Sequence, residues 1–471
     1  MTMRLAIGVM IGVTVSGAAG VAQKPAETKT FATYQLPEAK RVTLPNGLVL
    51  LLLEKHELPL TSVEIELRTG SLLDPDAKPG VSAVVANELR KGTATRTAEQ
   101  LSSDLDFMGM EFSAGSGTES TGISGDFLSK DSDRALGLMA DMVLHPVFPA
   151  DELKKTIAKR QEALKTDKDN VQYAVRQYYR ATLFAGHPYA HELTTTEASL
   201  GSITREDVVR FHDRVYTPAN AVIAVVGDFD SAKMEATLRE LFGGWKGVAP
   251  AAVKVPVMKP VTGKNVLLVD KPDATQTYFI VGNVGLSETD PDRAPVEVVN
   301  TLYGGRFTSL FNEELRIKSG YSYGAASYFQ EYRTPGPFEM ASYTKNATTA
   351  QAIDKTFEVI GTLHTHPFTD ADLTSVKNYI RGTFPPSLET SPALANRLVT
   401  DEVEGISRER FNAELAEEQA TTLAEANRVI DKDFPTRDNY VLVIVGKASE
   451  IGGLAAKYGT VTQRKISDPG Y

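Results

Sequence analysis

Thr61-Ser-Val-Glu-Ile-Glu-Leu-Arg-Thr-Gly70 alternates apolar and polar residues. That period of two describes a strand with one buried face. Gln276-Thr-Tyr-Phe-Ile-Val-Gly-Asn-Val-Gly285 occupies the same place in a second half. The halves also close alike, on Asn220-Ala-Val-Ile-Ala-Val-Val-Gly227 and Asn439-Tyr-Val-Leu-Val-Ile-Val-Gly446. The opening runs are displaced by 215 residues and the closing runs by 219. Nearly equal offsets mark one plan written twice.

Helical patterns fill the space between these strands. Ala98 to Met108 follows the cap-type sequence Thr95-Arg-Thr97, and Asp131 to Leu144 stops before Pro146. Ala150 to Thr166, Val171 to Phe184, Arg205 to Tyr216 and Ser231 to Phe242 complete the first half. The stretch 248–262 is rich in proline and has no clear period, which makes it the natural linker. The expected architecture is α+β. Two homologous halves, 41–247 and 263–460, each build an antiparallel sheet flanked by helices and together enclose a chamber, with 461–471 as a tail.

The 471 residues suggest two to four domains at roughly 100–200 residues each. Acidic residues outnumber basic ones by 60 to 50, and no dense Lys/Arg block exists, which argues against nucleic acid as a partner. The absence of cysteine removes disulfides, thiolate nucleophiles, Cys-zinc sites and iron–sulfur clusters. Met1 to Ala22 reads as a signal peptide: Arg4, an apolar run from Leu5 to Val15, then mostly small residues up to Ala22. The apolar run is short for a membrane span, so the expectation is an exported, periplasmic protein with no integral span and a flexible leader over 23–40. The Leu302-Tyr-Gly-Gly305 and Ala114-Gly-Ser-Gly117 clusters lack the context of a phosphate loop or a dinucleotide fingerprint.

A series of short motifs runs in order through both halves. They are Leu44-Pro-Asn-Gly-Leu48, Arg68-Thr-Gly-Ser71, Lys91-Gly-Thr93, Gly186-His-Pro-Tyr189, Tyr216-Thr-Pro-Ala-Asn220 and Val226-Gly-Asp-Phe229. Gly304-Gly-Arg-Phe-Thr-Ser309 and Leu315-Arg-Ile-Lys-Ser-Gly-Tyr-Ser-Tyr-Gly324 follow. In this combination the chain resembles the pitrilysin/insulinase family of zinc metallopeptidases, in its processing-peptidase-like bacterial branch. Active members carry H-x-x-E-H on the helix before Lys-Gly-Thr. Two imidazoles at i and i+4 share a helical face, the Glu serves as general base, and a distal Glu completes the ligand set.

The resemblance places that motif on Ala83-Val-Val-Ala-Asn87. Ala83, Ala86 and Asn87 stand where the two His and the Glu are required, and the distal Glu falls on Ala163, beside Glu162. Alanine offers no lone pair, and an amide is a poor substitute for imidazole. This chain is therefore expected to hold no metal and no cofactor. Elsewhere, His187 and His191 are separated by Pro188, His364-Thr-His366 lacks a third partner, and His56, His145 and His212 read as isolated surface or loop residues.

Arg316 and Tyr323 remain. The resemblance implies that such a pair, from the second half, faces the zinc site across the chamber and holds extended peptide. The implied function is that of a non-catalytic subunit, supplying Arg316 and Tyr323 to a zinc-bearing paralogous partner. The alternative from the residues themselves is that Arg316 caps a helix and Tyr323 packs on the sheet. Two other functions stay open: a structural or peptide-binding module without a role in catalysis, and an autonomous zinc metalloendopeptidase.

Overall fold

The structure is a computed structural model that describes residues 34–365 and 368–471. The expected signal peptide, the leader up to residue 33, and His366 lie outside the described residues. The first sheet contains β1 (Lys40–Thr43), β2 (Val49–Glu54), β3 (Leu60–Leu67), β4 (Glu111–Ser116), β5 (Thr121–Leu128) and β6 (Ala221–Gly227), in spatial order β1-β2-β6-β3-β5-β4. The second contains β7 (Lys264–Asp270), β8 (Gln276–Val284), β9 (Ala325–Phe329), β10 (Pro337–Lys345), β11 (Tyr440–Gly446) and β12 (Thr460–Lys465), in order β12-β7-β11-β8-β10-β9. The four runs quoted from the sequence become β3, β6, β8 and β11, the central strands. Most pairings are antiparallel. The exceptions are β2 with β6, and β7 with both β11 and β12, which run parallel.

The two kinds of strand pattern have one physical origin. In β3, Val63, Ile65 and Leu67 join the core on one face, while Glu64 and Glu66 are only partly covered on the other. β6 is apolar throughout because both its faces are covered. Ile223 and Val225 enter the core under the first half's own helices, while Val222, Ala224 and Val226 meet Leu394, Ala395, Leu398 and Val399. Those four belong to helix Ser391–Glu404, from the second half of the chain. The reverse holds at β11. Val441, Val443 and Val445 pack against Ala174, Val175, Tyr178 and Tyr179 of helix Val171–Leu183, from the first half. Each half thus lends one helix to the other's sheet.

Polar contacts fix this exchange. The Tyr179 hydroxyl, buried with its ring, donates to the Phe338 carbonyl at 2.6 Å. Arg176 pairs through Nε with Glu339, 2.9 Å away and 3% exposed, on β10. A buried carboxylate left without its partner is costly, so this pair also orients the Val171 helix on the second sheet.

Two expectations at the chain ends need correction. Residues 34–39, assigned to a flexible leader, are tied down: Leu36 is 2% exposed, and its N–H donates to Asn412 Oδ1 at 2.9 Å. A single buried leucine between polar neighbours gives no periodic signal. Residues 461–471, assigned to a tail, begin inside β12 and end with Tyr471 edge-on to Tyr178, ring centroids 5.2 Å apart. Residues 248–260 form neither helix nor strand.

The exchange yields a direct test. A protease site inserted within 248–254 and cleaved in the folded protein should leave both fragments co-eluting on size-exclusion chromatography. Either fragment expressed alone, with a sheet face uncovered, should aggregate. Separation of the cleaved fragments as folded monomers would contradict the packing.

Candidate functional site

The helix expected to carry a metal motif exists and spans Val81–Glu88. Its start is fixed by Asp74, whose carboxylate accepts from Gly80 N at 2.6 Å and Ser82 N at 2.9 Å. Val81, Val84 and Val85 anchor it in the first core. Ala83, Ala86 and Asn87 sit on this helix; Ala163 and Glu162 are exposed on helix Ala150–Thr166. The donor set does not fit zinc. Ala83, Ala86 and Ala163 carry no donor atom, and the Asn87 side-chain oxygen accepts from Arg160 Nη1 at 3.3 Å. A guanidinium one helical turn before Ala163 would repel a dication at that place. Burial holds the Arg160 pKa below its ordinary value, opposed by Glu192 and Asp74. Arg160 was not identified from sequence, because nothing in a charged amphipathic helix marks which cation turns inward.

Among the described residues, no three His, Cys, Asp or Glu side chains are grouped so as to hold a metal ion. His212, expected at the surface or in a loop, is 7% exposed, with Nε2 2.9 Å from the Val143 carbonyl and its ring stacked on Tyr216. His364 lies in the last turn of helix Thr349–Thr365.

Arg316 and Tyr323 do come together. Both line a cavity of about 400 Å³, with Arg306 and Phe307 from the adjoining loop and Gln172 and Arg176 from the Val171 helix. The helix exchange therefore builds this cavity from both halves. Arg316 lies in a widened helical turn, Glu313–Lys318, where Ser319 N donates to Glu314 O, five residues back. Such turns are frequent at functional sites. The neighbouring acids are neutralised elsewhere, since Lys318 Nζ lies 2.8 Å from Glu314 and 3.3 Å from Glu313. The Arg316 guanidinium stands over the Phe307 ring, 4.7 Å from its centroid.

Tyr323 does not pack on the sheet. It is 71% exposed, while its neighbour Ser322 is buried and accepts at Oγ from Ser342 Oγ at 3.0 Å. Pinning Ser322 inward turns the next side chain out into the cavity. Phe307 and Tyr328, also cavity-lining, are 68% and 48% exposed. Three large, substantially exposed rings and three guanidinium groups line this cavity. The cavity floor needs Gly304, where an added Cβ would sit 2.2 Å from Ser327 Oγ.

A second cavity, about 410 Å³, has the opposite character. Glu66, Glu119, Glu288, Glu331 and Glu404 line it, opposed by Arg68, Arg180 and Arg333. Burial, with Glu404 and Glu119 adding to it, pushes Glu288 up to about 7. Burial also pushes Glu404 up to about 7.

Comparison with known proteins gives a consistent result. Residues 49–197 match the insulinase family (peptidase family M16), and residues 202–380 match the peptidase M16 inactive domain. An "uncharacterized zinc protease" of Mycobacterium leprae is 27% identical over 367 residues, covering 77% of this chain and 82% of that protein. One from Bacillus subtilis is 23% identical and covers 88% of this chain and 99% of its own length. In fold, the chain is similar to a peptidase M16 inactive domain from Pseudomonas fluorescens, with TM-score 0.79, 24% identity, and coverage of 87% and 98%. It is similar also to a protease from Helicobacter pylori, with TM-score 0.77, 20% identity, and coverage of 87% and 100%.

The acidic cavity sets a pH dependence. Glu288 is raised above the ordinary Glu value of about 4.3, so the folded state binds the proton more tightly than the unfolded chain. Its ionisation costs stability progressively as pH rises from about 4.3 to about 7. Glu288→Gln should therefore raise the melting temperature relative to the parent chain at pH 8, with the gain shrinking towards pH 4. An equal gain at both pH values would show that the carboxyl is not strained by burial.

Proposed function

Since the chain belongs to the insulinase (M16) peptidase family, we propose that it serves as a non-catalytic subunit, holding extended peptide for a zinc-bearing paralogous chain. The observation that carries this reading is a contrast within one molecule. The helix that would bear the metal offers alanines and a guanidinium-bonded amide, while Arg316 and Tyr323 line an open cavity that holds no carboxylate among the described residues.

The chemistry of this chain's own groups follows from that cavity. Arg316 presents a planar fork of N–H donors, and Tyr323 presents a phenolic O–H. Both donate to carbonyl oxygens of an extended peptide. They strengthen as the oxygen takes on negative charge, which is the property required of transition-state stabilisers. Phe307 and Tyr328 provide apolar walls for peptide side chains. Neither Arg316 nor Tyr323 generates a nucleophile, so turnover depends on the partner.

The decisive measurement mixes this chain with an M16 chain that retains H-x-x-E-H and follows peptide hydrolysis. The expected outcome is zinc-dependent cleavage by the mixture and none by this chain alone. Tyr323→Phe or Arg316→Ala should lower kcat/KM by about a hundredfold. An inert mixture, with peptide binding retained by this chain alone, would replace the subunit reading with that of a binding module. Export is part of the same proposal, supported by Arg4, the Leu5–Val15 run and the small residues up to Ala22. Protein recovered from a periplasmic extract should begin at Gln23; a retained Met1 would refute it.

A further inference from the structure

We propose that the recess between Arg306 and Arg316 selects a carboxylate, so that the peptides held here carry either an acidic side chain or a free C-terminus at this point. The inference rests on the reading of this cavity as the peptide-holding surface and specifies what the surface selects.

The argument is one of local charge. Among the described residues, three arginines line the cavity and no Asp or Glu does. Arg176 is neutralised by buried Glu339. Among the described residues, Arg306 and Arg316 have no carboxylate within ion-pair distance. Arg306 donates from Nη1 to Ser375 Oγ at 3.1 Å, and its guanidinium lies 5.8 Å from the Tyr379 ring centroid. Its Nε is buried and has no hydrogen-bond partner among the described residues. A guanidinium without a carboxylate partner gains most from a ligand that accepts two parallel hydrogen bonds, and a carboxylate is that ligand.

The surroundings strengthen the preference. Phe307, Tyr323 and Tyr328 give the recess aromatic walls on which a peptide side chain carrying the carboxylate can rest. The chain's net charge of −10 opposes an acidic peptide only at long range, and at physiological salt that repulsion decays over about 8 Å. Within the recess, Arg306 and Arg316 decide the sign. Glu313 and Glu314, the acids next to Arg316 in sequence, are held by Lys318.

The test uses the full chain alone and one short peptide in four forms: a central Glu or Gln, each with a free or an amidated C-terminus. Calorimetric titration should show the best carboxylate form binding about tenfold tighter than the doubly neutral form. In Arg306→Gln the ratio should fall towards one. Arg306→Lys, which keeps the charge but loses the fork, should retain part of the ratio, and thermal melting of both variants checks the fold. A preference in the side-chain arm assigns the recess to an internal acidic residue; one in the terminal arm assigns it to a chain end. Either supports the inference. Equal binding of all four forms, or a ratio that survives Arg306→Gln, overturns it and leaves the peptide-holding reading standing. No binding of any form overturns both.

Discussion

The packing of each half's helix on the other half's sheet is the constraint on which the rest depends. β6 and β11 are apolar on both faces. A strand of that kind is stable only with cover on each side. Helix Ser391–Glu404 covers the first sheet, and helix Val171–Leu183 covers the second. Buried apolar area of this extent dominates the stabilisation of the assembly. The exchange also brings Gln172 and Arg176 to the wall of the Arg316 cavity. That cavity is therefore a product of the same contacts that hold the halves together.

Electrostatics divides the interior. One cavity gathers glutamates whose ionisation is opposed by burial, as at Glu288 and Glu404. The other gathers arginines and exposed aromatic rings. The difference arises from pairing. Lys318 takes Glu313 and Glu314, and Arg176 takes Glu339, so the unmatched charge left near Tyr323 is positive. On the Val81 helix, Asn87 is engaged by Arg160, a cation fixed by the chain itself. That contact gives the Val81 helix a polar tie to helix Ala150–Thr166.

How much of this could be read from the chain differs by residue. The quoted strands appear in place because alternation and continuous apolar runs are local patterns set by which faces are covered. The helix under Ala83 to Asn87 was expected only through the resemblance, from its place before Lys91-Gly-Thr93, while the lack of donor atoms at Ala83 and Ala86 follows from residue identity alone. The burial of Leu36, the inward turn of Arg160 and the pairing of β12 with β7 were not legible. Each depends on a partner far along the chain: Leu36 bonds to Asn412, 376 residues away.

The amino-acid sequence by itself determined that there are two sheets of one plan and that positions 83, 86 and 163 are alanines without a donor atom. Side-chain chemistry and strand period settle both without reference to distant contacts. Only the tertiary structure decided which sheet each helix covers, and that Arg306, Arg316, Tyr323 and Arg176 face one cavity. Proximity between residues 176 and 316 is fixed by packing across the two halves, and no local periodicity encodes it.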